Sequence, residues 1–111
     1  MATRLALTCI ALFVTLPVAP GLAQPYYAIM GAGLEPCGAW TEARQQNEAE
    51  LPEHWLLGYL SGIGSESVSG TDPLKSMDAE AVFAWVDNYC RAHPLDTIER
   101  AGGSFARQHH H

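Results

Sequence analysis

Residues 78–94 read DAEAVFAWVDNYCRAHP, and the reading of the whole chain turns on them. Val82, Val86, Tyr89 and His93 recur at the spacing of one helical face, and Ala79, Phe83 and Cys90 fall on the adjoining one. Asp78 has the side chain of an N-cap, and Glu80 stands where the positive end of the helix dipole favours an acid. Pro94 disfavours helical geometry at His93 and stops the segment. The stretch predicts an amphipathic helix that buries Phe83 and Val86 and carries Cys90 towards the core.

The front of the 111-residue chain has a different character. Arg4 precedes an apolar run over residues 5–18, and Gly21 and Ala23 follow as small residues at an A-x-A-like cleavage site. The run is shorter than the roughly 20 apolar residues of a membrane span, so no membrane insertion is expected. Residues 1–23 read as a removable secretory signal. Gln24 follows, where a lipid-anchored protein would need a cysteine.

Export changes the cysteine count. Of the three cysteines, Cys9 leaves with the signal, and Cys37 and Cys90 remain as a single pair in an oxidising compartment. One disulfide between them would close a long loop and stabilise the fold by roughly 4 kcal/mol, a large term in a domain whose core is small. The charge is −6 over the whole chain and one unit more negative without Arg4. That balance argues against nucleic acid and anionic lipid as partners and permits a basic protein.

Outward from the central helix, residues 24–36 form an extended lead-in with a candidate strand over 26–30, since Gly31 and Gly33 break any periodicity. Residues 37–46 predict a first helix with Cys37, Trp40 and Ala43 inside and Glu42, Arg44, Gln45 and Gln46 outside. Residues 51–64, LPEHWLLGYLSGIG, predict a second helix with Pro52 in its first turn and a buried stripe of Trp55, Leu56, Tyr59, Leu60 and Ile63. Gly58 and Gly62 are expected against a neighbouring helix backbone, because a helix-interior glycine costs up to ~1 kcal/mol and calls for a packing reason. Residues 71–77 form a linker with a turn at Asp72-Pro73. A last helix over 95–107 has Asp96 as its cap and Leu95, Ile98 and Phe105 as anchors. Residues 108–111 read as a disordered tail, with His109, His110 and His111 either native or a purification tag. The domain is thus expected over 37–107 as an all-α fold of four short helices with one disulfide.

Catalytic chemistry has few handles here. Cys37, Cys90, His93 and His54 have the composition of a zinc site, but an exported cysteine pair more often forms a disulfide. Ser61 lacks the G-x-S-x-G setting of a nucleophile elbow, and His54 on the same helix has no orienting acid. Glu48, Glu50 and Glu53 read as a solvated helix start. No catalytic residue, metal ligand or cofactor is expected.

The arrangement Cys37-x-x-Trp40, Trp55-x-x-Gly58-Tyr59-x-x-Gly62 and Tyr89-Cys90-x-x-x-Pro94 resembles small exported bacterial proteins of the HdeA-like and Rap1a/Tai immunity groups. The resemblance covers most of residues 37–105. It implies a compact disulfide-bridged helical domain in the periplasm that acts by binding other proteins, some as acid-stress chaperones and some as inhibitors of amidases or lysozyme-type hydrolases. Trp55 and the glycine step depart from the acid-chaperone pattern. The expected function is therefore a non-catalytic inhibitor or immunity-like protein acting on a peptidoglycan hydrolase. An acid-activated holdase is the alternative, ahead of a small-molecule-binding or structural envelope protein; a homodimer is compatible with each. The contact surface is expected on the loop over residues 65–75, at Glu66, Gly70, Asp72 and Lys75, because binding residues concentrate on loops held by a rigid scaffold.

Overall fold

Asp78 begins the central helix as its sequence demands. Its carboxylate accepts the Ala81 N–H at 2.8 Å, and the helix runs Ala79–Ala92 before His93 breaks it ahead of Pro94. The computed structural model describes residues 27–110, together with Thr3, Ile10, Ala11 and residues 13–17. Among them are four α-helices and no strand: α1 Cys37–Gln45, α2 Glu50–Ser65, α3 Ala79–Ala92 and α4 Ile98–Gln108. The protein is an all-α domain.

Apolar spacing decides how these helices meet. Val82, Phe83, Val86 and Cys90 of α3 are buried and face Cys37 and Trp40 of α1, Leu56 and Leu60 of α2, and Ile98, Ala101 and Phe105 of α4. α1 packs on α3, α2 packs on α4, and the α3–α4 contact joins the two pairs. Cys37 and Cys90 are disulfide-bonded across 53 positions, tying the first turn of α1 to the last turn of α3. The same corner is stitched by backbone: the Cys37 N–H donates to the Asp96 carbonyl at 2.7 Å, and the Ile98 N–H to the Glu35 carbonyl at 3.0 Å. Disulfide and bridge together fix the starts of α1 and α4 against the end of α3.

The last helix differs from expectation at both ends. Thr97, rather than Asp96, is its cap: Thr97 has extended backbone and its Oγ1 accepts the Arg100 N–H at 3.2 Å. Asp96 is engaged elsewhere, taking the Tyr89 hydroxyl on Oδ2 at 2.5 Å. Leu95 lies before the helix and is 93% exposed, so it anchors nothing. At the other end α4 reaches Gln108, one residue beyond the expected end, and the His109 ring stacks on Phe105 at 4.1 Å. His111 lies outside the described residues.

No strand forms at residues 27–30, and Tyr26 lies outside the described residues. The following segment winds into a 3-10 helix, Gly31–Leu34, which packs on α2 and α4. Gly33 sits directly under the Trp55 indole, where a Cβ would collide with the ring. Gly31 has φ +78, the left-handed region that favours glycine.

Gly58 and Gly62 do not face a neighbouring helix. Both are exposed, and a Cβ on either would meet nothing within 4 Å. The buried line of α2 runs through Pro52, Leu56 and Leu60, and positions two residues further on lie roughly 200° around the helix. The close approach belongs to Gly102 of α4, where a Cβ would come within 2.9 Å of Leu56 Cδ1 and 3.1 Å of Tyr59 Cδ1. Trp40, Phe83 and Val86 are buried as expected, whereas Trp55 and Tyr59 are only partly covered.

Of residues 1–23, those described include Ile10, Phe13, Val14 and Leu16, all exposed and apart from the buried core. The cleavage-site residues Gly21 and Ala23 lie outside the described residues. No described helix is long and apolar enough to cross a membrane.

Candidate functional site

Two side-chain clusters flank the core, one charged and one aromatic. Asp87 on α3 accepts the Trp40 indole N–H at 2.7 Å and is gripped by Arg44 through Nε and Nη2, each at 3.1 Å. Arg44 Nη1 reaches Glu53 at 2.7 Å, and its guanidinium lies over the Phe83 ring at 5.4 Å. The Asp87 hydrogen bond pushes the Arg44 pKa further up against the opposing effect of burial, so its charge is permanent. This node joins α1, α2 and α3. It corrects two expectations: Arg44 is not simply an outer residue, and Glu53 is not a solvated helix start. Its members chiefly bond to one another, and Arg44 and Asp87 also line a polar cavity of about 310 Å³ with Thr41, Gln45, Asn47 and Arg91.

The second cluster is an aromatic ladder. Trp85, Tyr89 and His93 follow one another at i, i+4 and i+8 along α3, with Tyr89 stacked on Trp85 at 5.6 Å and His93 on Tyr89 at 4.3 Å. Phe105 of α4 and His109, just past its end, meet Trp85 edge-on. Both histidines place Nδ1 beside the carbonyl four residues earlier, which also accepts the backbone N–H of the same histidine.

The hypothetical zinc quartet is not assembled. The two sulfurs are bonded to each other, and His54 and His93 are exposed on α2 and at the end of α3. Among the described residues no group of three or more metal-binding side chains converges. Ser61 and His54 are both exposed on α2 and share no hydrogen bond with each other.

The open face of α2 is the most distinctive surface. Trp55 and Tyr59 stack at 5.1 Å and 15°. Each ring is pinned at its polar end: the Trp55 indole donates to the Met30 carbonyl at 2.8 Å, and the Tyr59 hydroxyl donates to Glu99 at 3.1 Å. Burial, followed by the nearby Glu99 charge and its hydrogen bond, pushes the Tyr59 pKa well up and keeps the phenol neutral. Tyr27, 64% exposed, approaches from the lead-in. Together with Gly58, Tyr59, Gly62, Ile63 and Glu66 it lines a shallow, mostly apolar groove of about 520 Å³. Gly58 and Gly62 are among its lining, and a Cβ on either would meet nothing within 4 Å among the described residues. A second groove, about 570 Å³, continues past Tyr59 to Ser69, Thr71, Ala106 and Arg107.

The four loop residues expected at a contact surface are separated by the structure. Glu66 caps α2 and lines the first groove. Gly70 is exposed in the left-handed region at φ +72. Asp72 is structural: its Oδ1 accepts the Leu74 N–H at 2.9 Å and packs against Gly64, making the turn before Pro73. Lys75 is exposed and lines none of these grooves. The loop is internally ordered by Ser67, whose hydroxyl lies 2.7 Å from Thr71 Oγ1 and accepts the Thr71 N–H at 3.0 Å.

Sequence reasoning found the residues of the α2 face and misplaced their direction, assigning to packing the glycines that instead open the groove. The node was missed because its members lie on three helices with no local spacing to connect them. Comparison with known proteins adds no relative: no family model, curated protein or solved structure matches the chain significantly.

Proposed function

We propose that this chain is an exported, non-catalytic protein binder, an inhibitor or immunity-like protein acting on a peptidoglycan hydrolase, and that the α2 face is its contact surface. The observation that carries the reading is the pair of exposed helix-interior glycines, Gly58 and Gly62, beside the pinned rings of Trp55 and Tyr59. Each glycine costs about 1 kcal/mol of helix stability relative to alanine, and no close contact among the described residues offsets it. A surface that breaks a local rule without an internal compensation is where function is expected. The scaffold beneath is rigid, with the disulfide and the Arg44–Asp87 node holding three helices. Preorganised aromatic rings of this kind suit recognition of a folded partner.

A chaperone reading has one observation of its own. Four interhelical or helix-to-loop ties end on carboxylates: Arg44 to Asp87, Arg44 to Glu53, Tyr59 to Glu99, and Tyr89 to Asp96. Strong acid would neutralise these acceptors and loosen the packing.

Two assays separate the readings. Cleavage of peptidoglycan by lysozyme-type and amidase hydrolases is followed at pH 7 with and without the oxidised protein, and aggregation of a denaturing client by light scattering at pH 7 and about pH 3. Inhibition of a hydrolase at pH 7 supports the binder. Client protection confined to low pH, with no hydrolase slowed, replaces it with the chaperone.

A further inference from the structure

The groove beside Tyr59 has a chemistry that narrows what it accepts. It is lined by Tyr27, Gly58, Tyr59, Gly62 and Ile63, so two tyrosines and two glycines give it most of its surface. Glu66 is its one charged lining residue, exposed and without an ion pair among the described residues. Glu66 also stands at the C-cap of α2, at the negative end of the helix dipole, where an acid is unfavourable. α1, α3 and α4 each place an arginine in their last turn, at Arg44, Arg91 and Arg107, whereas α2 has no basic residue there. The negative potential at this end of α2 is therefore uncompensated by its own helix, and the chain as a whole carries −6.

We propose that this groove receives a lysine or arginine side chain presented by a protein partner, its aliphatic stem over Gly58 and Gly62 between the tyrosine rings and its charge at Glu66. The proposal rests on the protein-binder reading and adds the partner's chemistry to it. Aromatic faces attract a cation by their quadrupole, and a long basic side chain covers apolar surface with its stem while its head stays at the polar rim. A leucine, by contrast, would leave Glu66 and the helix end unanswered. An acidic side chain would be repelled by both. A partner with a basic surface also meets a negatively charged protein with favourable long-range steering.

The test uses the oxidised protein and three end-blocked pentapeptides identical except for a central arginine, glutamate or glutamine, with spermidine as a small polyamine control. Binding is read from amide chemical shifts at pH 7. The expected result is that the arginine peptide alone moves the amides of Tyr27, Gly58, Tyr59, Gly62, Ile63 and Glu66. Glu66→Gln is expected to weaken it about five- to tenfold, and raising salt to weaken it further. Gly62→Leu, whose Cβ would meet nothing within 4 Å among the described residues, is expected to keep the fold and to block binding. Retention of the native spectrum by both variants keeps the comparison free of unfolding.

Equal shifts with the glutamate peptide, shifts elsewhere on the surface, no binding by the arginine peptide, or indifference to Glu66→Gln would each overturn the proposal. Spermidine binding as tightly as the peptide would replace the protein side chain with a free polyamine. Hydrolase inhibition that survives both substitutions would remove the groove and keep the binder reading. Arginine-peptide binding at the groove with no hydrolase inhibited would keep the groove and remove the hydrolase.

Discussion

Trp40 on α1 and Asp87 on α3 lie 47 positions apart and are joined by an indole N–H to carboxylate hydrogen bond of 2.7 Å, with Arg44 clasping the same carboxylate. A fully buried tryptophan is thereby satisfied, and one acid serves two donors from the neighbouring helix. Asp87→Ala leaves both the Trp40 N–H and the Arg44 charge short of a partner. A loss of about 2–3 kcal/mol is expected, since hydrogen bonds to charged groups are the strong ones and orphaned donors cost extra. Urea denaturation with an unchanged m-value measures it.

The glycines divide into two classes with opposite signs. Gly58→Ala and Gly62→Ala add a methyl into open space and remove helix-interior flexibility, so each should stabilise by about 0.5–1 kcal/mol. Gly33→Ala drives a methyl into the Trp55 indole and should cost about 1–3 kcal/mol. Paired melting curves decide between these signs.

The existence and order of the helices were legible because each carries its own local marks: Asp78 and Pro94 bound α3, and Pro52 opens α2. The pairing of Cys37 with Cys90 followed from there being no other partner once Cys9 is read as part of a removable signal. The direction of Gly58 and Gly62 was not legible. Their spacing places them on one face, while which face turns inward is decided by Leu56 and Leu60 against Gly102 of a different helix. Asp96 looked like a cap because caps are read from residue type. Thr97 took the role because the bridge to Pro36 fixes the entry to α4. The α2 groove was partly legible: Trp55, Tyr59 and Ile63 were singled out, but as core.

Loss of the disulfide releases the α1–α3 corner. Cys90→Ser should lower stability by about 2–5 kcal/mol, and alkylation of the untreated protein should label neither Cys37 nor Cys90. Two labelled thiols in protein from an oxidising compartment would be inconsistent with the structure.

Alkaline pH should act through the two bonded tyrosines. Burial holds the Tyr59 pKa above its ordinary value, and the hydrogen bond to Asp96 does the same for Tyr89. A group whose folded pKa is raised favours folding fully below its unfolded pKa and loses that contribution as pH rises towards the folded one. Stability should therefore be unaffected by these groups to about pH 9 and fall beyond the ordinary tyrosine value near 10. Tyr59→Phe should show a shallower decline.

The most direct test of the α2 face as a contact surface compares wild type with Gly62→Leu in hydrolase inhibition at pH 7, after melting curves have shown both to be folded. The account predicts that wild type slows a lysozyme-type or amidase hydrolase and that the leucine variant, at least as stable, inhibits at least about tenfold more weakly because its side chain fills the groove. Equal inhibition by the two proteins, or none by wild type, would contradict it.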